Sequence, residues 1–298
     1  MRNNFCGASG GIPPVPSGFA ALDRLTGGFR TSEMIVLGGS PGMGKTALVL
    51  NLALNAALPM HREAFSNVPA YSVMFFSMDL SRERLRERAL SQLSRVGLSR
   101  IGSGQLSPDE RAALDMADRE FLSASFHIVG AGAGNVTPPG VISPSMVLER
   151  AVELTGRLNR DGLPPLGLIV LDYIQLMKAD VKRESFRREM ADASAGLKSL
   201  SKELNLSVLC CAQLRQHMGK SQDLCDIKGS DEIGEAADIV AFILRRELLR
   251  PDMPEFEGRA ELHIKKHRNG PTGVVRLDFI KRCSCFVPSV HHDLDDPS

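Results

Sequence analysis

Residues 39–46 read Gly39-Ser40-Pro41-Gly42-Met43-Gly44-Lys45-Thr46, which fits the spacing G-x-x-x-x-G-K-[ST] in full. An apolar run, MIVLG, leads into this segment, and a helical apolar run, ALVLNLALNAA, follows it. Glycines allow backbone N–H groups to approach phosphate oxygens, and the first turn of a helix favours negative charge. We expect Lys45 to contact the β- and γ-phosphates of a nucleotide, and the Thr46 hydroxyl to bind Mg²⁺. The segment therefore predicts a phosphate-binding loop, or P-loop, between a strand and a helix.

Two acidic side chains follow other apolar runs, where a metal ion and a reacting water would need them. Asp172 ends the run LIVLD and is expected to hold Mg²⁺ through water. The alternative is that Asp172 only caps the next element. Asp79 follows the run FFSM and could act as a general base on water. It could equally be a first-turn acid of the arginine-rich helix that begins near Ser81.

Side chains of two other kinds could contact the phosphates. Gln213 ends the run SVLCCAQ, where a neutral amide could contact the γ-phosphate or orient water, although a glutamine at a strand end is common. Lys266, His267 and Arg268 cluster at a predicted turn. Such cations are usually only solvated, and the functional alternative is an arginine finger offered to a neighbouring subunit.

Two segments carry a modest excess of positive charge. Residues 178–189 contain five basic and three acidic residues, and residues 215–228 contain three basic residues against two aspartates. The candidate DNA contacts in these segments are Lys182, Arg183, Arg187, Arg215, Lys220 and Lys228. As solvated surface these residues would be unexceptional. A DNA-binding interpretation requires both segments to lie on one side of the sheet.

The elements that must position these side chains alternate between strands and helices. Short runs, apolar on both faces, predict strands at residues 34–38, 72–77, 126–130, 167–172, 207–212 and 238–244. Helical periodicity fills the gaps, and Ser107-Pro108-Asp109-Glu110 predicts a helix start with a capping box. Residues 261–266 and 274–279 alternate polar and apolar side chains around a turn. The predicted fold class is α/β, a mostly parallel sheet flanked by helices, with a C-terminal antiparallel β-hairpin.

The composition and the cysteine spacing limit the kinds of protein and of binding site that this chain could form. The 298 residues are 43% hydrophobic and 24% charged with a net charge of +1, which suits one large globular domain or two small ones. Thirteen phenylalanines, two tyrosines and no tryptophan disfavour a base-stacking platform for single strands. The six cysteines lack C-x-x-C spacing and no apolar run could span a membrane, so we expect a cytoplasmic protein with no membrane contact. Cys283, Cys285, His291 and His292 form a poorly spaced alternative site for zinc.

In their order along the chain, the motifs resemble the C-terminal ATPase domain of the DnaB-type replicative helicases, a RecA-like hexameric motor. They are GSPGMGKT, FFSMDLS, LIVLDYIQLM, LKSLSKELNLSVLCCAQL, EIGEAADIVAFILRR and KKHRNGPTG, and the similarity covers roughly residues 12–282. FFSMDLS, DYIQLM and HRNGPTG are more specific to this family than the P-loop. The resemblance implies a RecA-like P-loop NTPase that uses ATP and Mg²⁺ and acts as a helicase in DNA replication. It also implies three kinds of partner: single-stranded DNA, other copies of this chain and other replication proteins. The expected homo-oligomer is a hexamer.

The resemblance assigns roles to the residues around the P-loop. Lys45 and Thr46 fall at the Walker A positions for phosphate and Mg²⁺, and Asp172 falls at the Walker B position. Asp79 falls where the family has its catalytic glutamate. Gln213 falls at the position of the family's γ-phosphate sensor.

Lys266 and Arg268 fall at the positions of the family's trans-acting lysine and arginine finger. The segments that follow Met177 and Leu214 fall at the family's central-channel loops, which bind DNA. Residues 228–232 depart from the R-E-S-G-S-type stretch of these loops, because they include two acids that are unhelpful for phosphate contact.

Two further departures affect the expected activity. Asp79 is one methylene shorter than glutamate, about 1.5 Å of reach at a C–C bond length. Since misplacement by about 1 Å can cost roughly 10²-fold in rate, we expect slow hydrolysis. About eleven residues precede the similarity, so we expect the chain to lack the N-terminal domain that contacts primase, and ring closure to rely on the ATPase faces.

These observations give one expected domain and two competing functions. We expect a flexible lead-in over residues 1–15, a helicase ATPase domain over 16–286 and an acidic tail over 287–298. The first hypothesis is a ring-forming, ATP-dependent DNA helicase. The second is a RecA-like DNA-binding ATPase, a replication or recombination accessory or regulator that does not unwind DNA. A purely structural module is disfavoured because the P-loop and Asp172 are both intact.

Overall fold

The computed structural model describes residues 13–58, 70–130, 142–181, 183–214 and 231–289. Their strands are β1 (Met34–Gly39), β2 (Ser72–Ser77), β3 (Phe126–Gly130), β4 (Leu166–Asp172), β5 (Ser207–Gln213), β6 (Ile239–Leu244), β7 (Arg259–His267), β8 (Gly273–Ile280) and β9 (Cys285–Pro288). All nine strands belong to one sheet, in the order β3-β2-β4-β5-β1-β6-β7-β8-β9.

Strands β1 to β6 form the parallel part of the sheet, as the sequence predicts. Strands β1, β2 and β4 are buried along their whole length, which is why their sequences are apolar on both faces. The start of β6 differs by one residue from the prediction. Asp238 lies just before this strand, and its carboxylate accepts a hydrogen bond from the backbone N–H of Met34 at 2.8 Å.

Strands β6 to β9 form the antiparallel part. The predicted hairpin is present as β7 and β8, and alternate residues of both strands are buried. Strand β9 was not predicted, because four residues are too few for a recognisable alternation. It pairs with β8 and places Phe286 in the apolar core.

Helices cover both faces of the sheet. They are α1 (Ala20–Thr26), α2 (Lys45–Ala57), α3 (Arg82–Ser94), α4 (Leu98–Ser103), α5 (Pro108–Ser123), α6 (Pro144–Asp161), α7 (Phe186–Glu203), α8 (Asp231–Ala236) and α9 (Arg246–Leu249). Helices α1, α2, α3 and α5 contribute to the apolar core on one face, and α6, α7 and α8 to the core on the other. Among the described residues, no helix is both long and apolar enough to cross a membrane.

The parallel strands create two different edges of the sheet. Their carboxyl ends meet at one edge, where the register pairs Gly39 with Gln213 and Ser77 with Asp172. We call this the carboxyl edge, and it is where open α/β sheets bind ligands. The opposite, amino edge holds the start of β6 and the end of β7, since Ile239 pairs with His267.

Candidate functional site

The P-loop connects β1 to α2 at the carboxyl edge. Gly42 and Gly44 have φ values of 82° and 94°, which L side chains rarely adopt, and a Cβ on Gly44 would lie 3.0 Å from the Phe286 ring. The Lys45 ammonium donates hydrogen bonds to the carbonyls of Gly39 at 2.6 Å and Ser40 at 3.1 Å. Burial lowers the pKa of Lys45, and the nearby Cys211 and Asp172 oppose this shift. The predicted strand, loop and helix therefore occur at these residues.

Asp172 ends β4 beside the first turn of α2 and is only 3% exposed. Burial raises the pKa of its carboxyl group, while hydrogen bonds with the Thr46 hydroxyl and the Cys211 thiol and the charge of Lys45 oppose the rise. The hydroxyl and carboxylate oxygens are ligands of the kind that Mg²⁺ takes. The described residues contain no cluster of three or more His, Cys, Asp or Glu that could hold a metal. Such a pair fits Mg²⁺, which usually takes its other ligands from water and substrate phosphates.

Asp79 lies two residues beyond β2, with an exposed side chain. The backbone N–H of Met78 donates to the carbonyl of Asp172 at 2.9 Å, which fixes this turn beside the end of β4. Burial raises the pKa of Tyr173, and the charges of Asp79 and Asp172 add to the rise. The structure thus brings Asp79 and Asp172 to the same edge, as their sequence positions predict.

Gln213 ends β5 opposite Gly39, the residue that begins the P-loop. A second glutamine, Gln175, fixes this strand end, because its side-chain oxygen accepts from the Gln213 N–H at 3.0 Å. Its amide nitrogen donates to the Gln213 carbonyl at 3.1 Å. Sequence reasoning missed Gln175, although its place three residues after Asp172, in DYIQLM, was a usable signal.

A cavity of about 410 Å³ adjoins the P-loop. Besides residues of the P-loop and α2, its lining includes Arg88, Arg245, Phe279, Lys281 and Ser284. The Arg245 guanidinium lies 3.8 Å from the centre of the Phe279 ring. It also donates to the Gly42 carbonyl at 3.4 Å, so it links the P-loop to the antiparallel strands. Sequence reasoning missed these cations, because only the folded chain brings β8 and α3 to the P-loop.

Lys266 and Arg268 lie at the amino edge, away from the P-loop of their own chain. Lys266 donates to the carbonyls of Gly234 and Glu235, and Arg268 donates to the Glu235 carbonyl at 2.6 Å. Burial, followed by the charge of Arg268, lowers the pKa of Lys266. The backbone N–H of Arg268 bonds to the Asp238 carbonyl, level with the start of β1, so roughly 17 Å of strand separates it from the P-loop.

Of the six candidate DNA contacts, the described residues include two. Arg183 pairs with Asp192, and Arg187 pairs with Glu232 at 2.8 Å, and all four side chains remain partly exposed. Lys182, Arg215, Lys220 and Lys228 lie outside the described residues. So do His291 and His292 of the alternative zinc site, whose Cys283 and Cys285 are buried free thiols.

Comparison with known proteins places this chain in a family. The DnaB-like helicase C terminal domain family matches residues 14–288. "Replicative DNA helicase DnaB" of Geobacillus stearothermophilus is 32% identical over 283 residues, 93% of this chain and 57% of that protein. The Pasteurella multocida protein of the same name is 34% identical over 282 residues, 93% of this chain and 56% of that protein. The chain thus spans little more than half the length of these curated relatives.

Two solved structures share the fold. One, of an isolated ATPase domain, superposes with a TM-score of 0.79 at 24% identity, over 95% of this chain and 93% of that one. "The Structure Of A DnaB-Like Replicative Helicase And Its Interactions With Primase" gives a TM-score of 0.79 at 25% identity, over 95% of this chain and 65% of that one. The RecA-like α/β fold predicted from the motifs is confirmed. By its sequence along nearly its whole length, the chain belongs to the DnaB-like helicase C-terminal domain family.

Proposed function

We propose that the chain is the motor of an ATP-dependent DNA helicase that acts in replication. It hydrolyses ATP at the subunit interfaces of a ring and moves along single-stranded DNA. The observation that carries this proposal is the cluster of Lys45, Thr46 and Asp172 at the carboxyl edge, in a chain of the DnaB-like family.

Within this proposal the P-loop binds the phosphates through its backbone N–H groups and Lys45. Thr46 and Asp172 would hold Mg²⁺, and the bound ion would neutralise negative charge on the phosphates. Asp172 acts in its ionised form. Burial raises its pKa, and the hydrogen bonds from Thr46 and Cys211 and the charge of Lys45 favour the ionised form.

Asp79 and Gln213 act on the attacking water and the γ-phosphate. Asp79 accepts the proton of the water, for which its exposed carboxylate at the carboxyl edge is suited. Gln213 contacts the γ-phosphate with a side chain that does not titrate. The Gln175 amide holds the backbone of Gln213 in register with the P-loop.

Lys266 and Arg268 complete the site of the neighbouring subunit. Their position at the amino edge supports this role, since the strand length between them and their own P-loop prevents a contact within one chain. A ring of identical subunits, expected to be a hexamer, brings the amino edge of one subunit to the carboxyl edge of the next. The ring surrounds a single strand, which Lys182, Arg183, Arg187, Arg215, Lys220 and Lys228 contact.

A second candidate function is a RecA-like DNA-binding ATPase that does not unwind DNA. The observation that favours it is the pairing of Arg183 with Asp192 and of Arg187 with Glu232. Paired arginines leave fewer free cations for phosphate contacts and hence a shallower dependence of DNA binding on salt.

Strand displacement on a forked duplex separates the two candidates. We expect wild type, with ATP and Mg²⁺, to displace the strand and to form rings in the presence of a nonhydrolysable ATP analogue. Lys45→Ala should lose both ATP hydrolysis and displacement. DNA-stimulated hydrolysis by assembled rings without displacement would support the second candidate and contradict the first.

A further inference from the structure

A second cavity, which we call the β3 groove, lies beside the terminal strand of the sheet. It has a volume of about 560 Å³ and lies between residues 126–130 of β3 and the side of α6 that carries Arg150, Leu154 and Arg157. Arg82, the first residue of α3, lies at its carboxyl-edge end, next to Gly130. Strands β2, β4 and β5 separate β3 from β1, a distance of roughly 19 Å at ordinary strand spacing. The β3 groove is therefore separate from the P-loop.

The β3 groove carries an excess of positive charge. Its lining has three arginines and one carboxylate, Glu153, which pairs with Arg150 at 3.0 Å. Arg82 and Arg157 are exposed, and neither forms a salt bridge with any residue that the structure describes. Residues 131–141, which connect β3 to α6, read AGAGNVTPPGV and contain no acid. Within the described part of the chain, these two arginines thus have no carboxylate partner and could pair with an anionic ligand.

The backbone of β3 adds a second feature to the β3 groove. Within the described chain, β3 pairs with β2 on one side and with no strand on the other. Its first four residues are half-buried, in contrast to the fully buried β2. A free strand edge presents N–H and C=O groups that an extended peptide can pair with. The groove also includes apolar side chains, Met74, Val129 and Leu154, beside the arginines.

We propose that the β3 groove binds an extended acidic segment of a partner protein, which adds to the sheet beside β3 and places carboxylates against Arg82 and Arg157. Arginine suits this ligand because its planar guanidinium pairs with both oxygens of a carboxylate. Because successive side chains of a strand point to opposite faces, the alternate carboxylates of the segment all lie on the face that turns toward α6. Such a partner uses the charge and the strand edge together.

The same groove is less suited to nucleic acid. A single strand would use the arginines but gains most from aromatic rings that stack on its bases. The lining has two aromatic rings, and one of them, Phe126, packs inward against Phe75 and Phe121, with ring centres 6.0 Å and 5.5 Å away. The other, His127, is half-buried, with Nε2 3.1 Å from the Ser125 hydroxyl. A phosphate backbone can accept hydrogen bonds from the N–H groups of β3, but phosphates have no donor for its carbonyls and cannot continue the ladder of a sheet.

The test is a binding experiment with the whole chain and a defined probe. A fluorescein-labelled peptide of alternating glutamate and valine is titrated with wild type, and its anisotropy is followed. Arg82→Glu/Arg157→Glu should weaken binding roughly tenfold or more, because two attractive pairs become repulsive. Arg84→Glu/Arg160→Glu is the matched control, since it makes the same charge change on exposed positions of the same two helices, and it should bind like wild type.

Hydrogen exchange distinguishes strand pairing from simple charge attraction, because only pairing with β3 protects the backbone amides of that strand. With saturating peptide, the backbone amides of residues 126–130 should gain protection in wild type and in the control variant. Equal affinity of the two double variants, or binding without protection in β3, would overturn the proposal. A short oligothymidylate is tested as a second probe. If Arg82→Glu/Arg157→Glu loses binding of the oligothymidylate but still binds the peptide, the ligand of the β3 groove is nucleic acid and the proposal is overturned. No binding of the peptide by wild type would overturn it as well.

Discussion

Asp79 is the residue whose identity most affects the expected rate. It lies beside the end of β4, where a glutamate would reach about 1.5 Å further. Because misplacement of about 1 Å can cost roughly 10²-fold in rate, we expect Asp79→Glu to raise the turnover number for ATP about tenfold or more. Steady-state hydrolysis measures this, with Asp79→Asn as an inactive control. Unchanged or lower turnover in Asp79→Glu would contradict a role for Asp79 as the base.

The Cys211 thiol influences the ionisation of Asp172, the proposed Mg²⁺ ligand. It forms a hydrogen bond with Asp172 that opposes the rise in pKa caused by burial. Cys211→Ala removes this bond, so the pKa of Asp172 should rise further, and a smaller fraction of the acid is ionised at a given pH. The acid limb of the pH profile of kcat/KM should therefore move to higher pH. Cys211→Ser keeps a donor and should resemble wild type, and an acid limb unmoved by Cys211→Ala would refute this role of the thiol.

At the scale of elements, Gln175 couples the short 3₁₀ helix that follows β4, Ile174–Leu176, to the end of β5. Its two hydrogen bonds hold the backbone of Gln213 opposite Gly39. We expect Gln175→Ala to lower kcat roughly tenfold, since small displacements of a reacting group are costly, and to leave KM for ATP nearly unchanged. Gln213→Ala should lower kcat by a similar factor. The double variant Gln175→Ala/Gln213→Ala should lower kcat little further than either single variant. If Gln175→Ala instead raises KM for ATP and lowers the melting temperature as strongly as it lowers kcat, the role of Gln175 is purely structural.

Helix α5 offers a test of the fold that is independent of the site. Ser107 and Glu110 form the predicted capping box, with the Glu110 N–H donating to Ser107 Oγ at 3.2 Å and the Ser107 N–H donating to Glu110 at 2.8 Å. Ser107→Ala should lower the free energy of unfolding by about 1 kcal/mol. Ser123→Ala, near the other end of α5, is the matched control and should change it by less than about 0.5 kcal/mol. Urea unfolding measures both, and equal effects would contradict the capping role.

The sequence predicts the elements better than the contacts between them. All six parallel strands were predicted within one residue at each end, because each is a short apolar run that must be buried on both faces. The P-loop was predicted because its chemistry requires a contiguous pattern. Arg245 and Gln175 were missed because their partners, Phe279 and Gln213, lie far away in the sequence. Strand β9 was missed because four residues show no period.

At the scale of the whole molecule, the functional side chains occupy opposite edges of the sheet. Lys45, Asp172 and Gln213 lie at the carboxyl edge, and Lys266 and Arg268 lie at the amino edge. Under the proposed function, a complete site therefore requires two subunits. The net charge of +1 is compatible with DNA binding in this arrangement, because a ring multiplies a few cations by its symmetry.

Mixing two inactive variants tests this central claim most directly. Lys45→Ala keeps Arg268, the proposed arginine finger, but loses the proposed phosphate-binding lysine. Arg268→Ala keeps Lys45 and loses the proposed finger. If they assemble at random in equal amounts, about a quarter of the interfaces combine an intact P-loop with an intact finger. We predict that the mixture, sized as rings, hydrolyses ATP well above either variant alone, near that fraction of the wild-type rate. A mixed ring no more active than its parents would contradict a site shared between subunits.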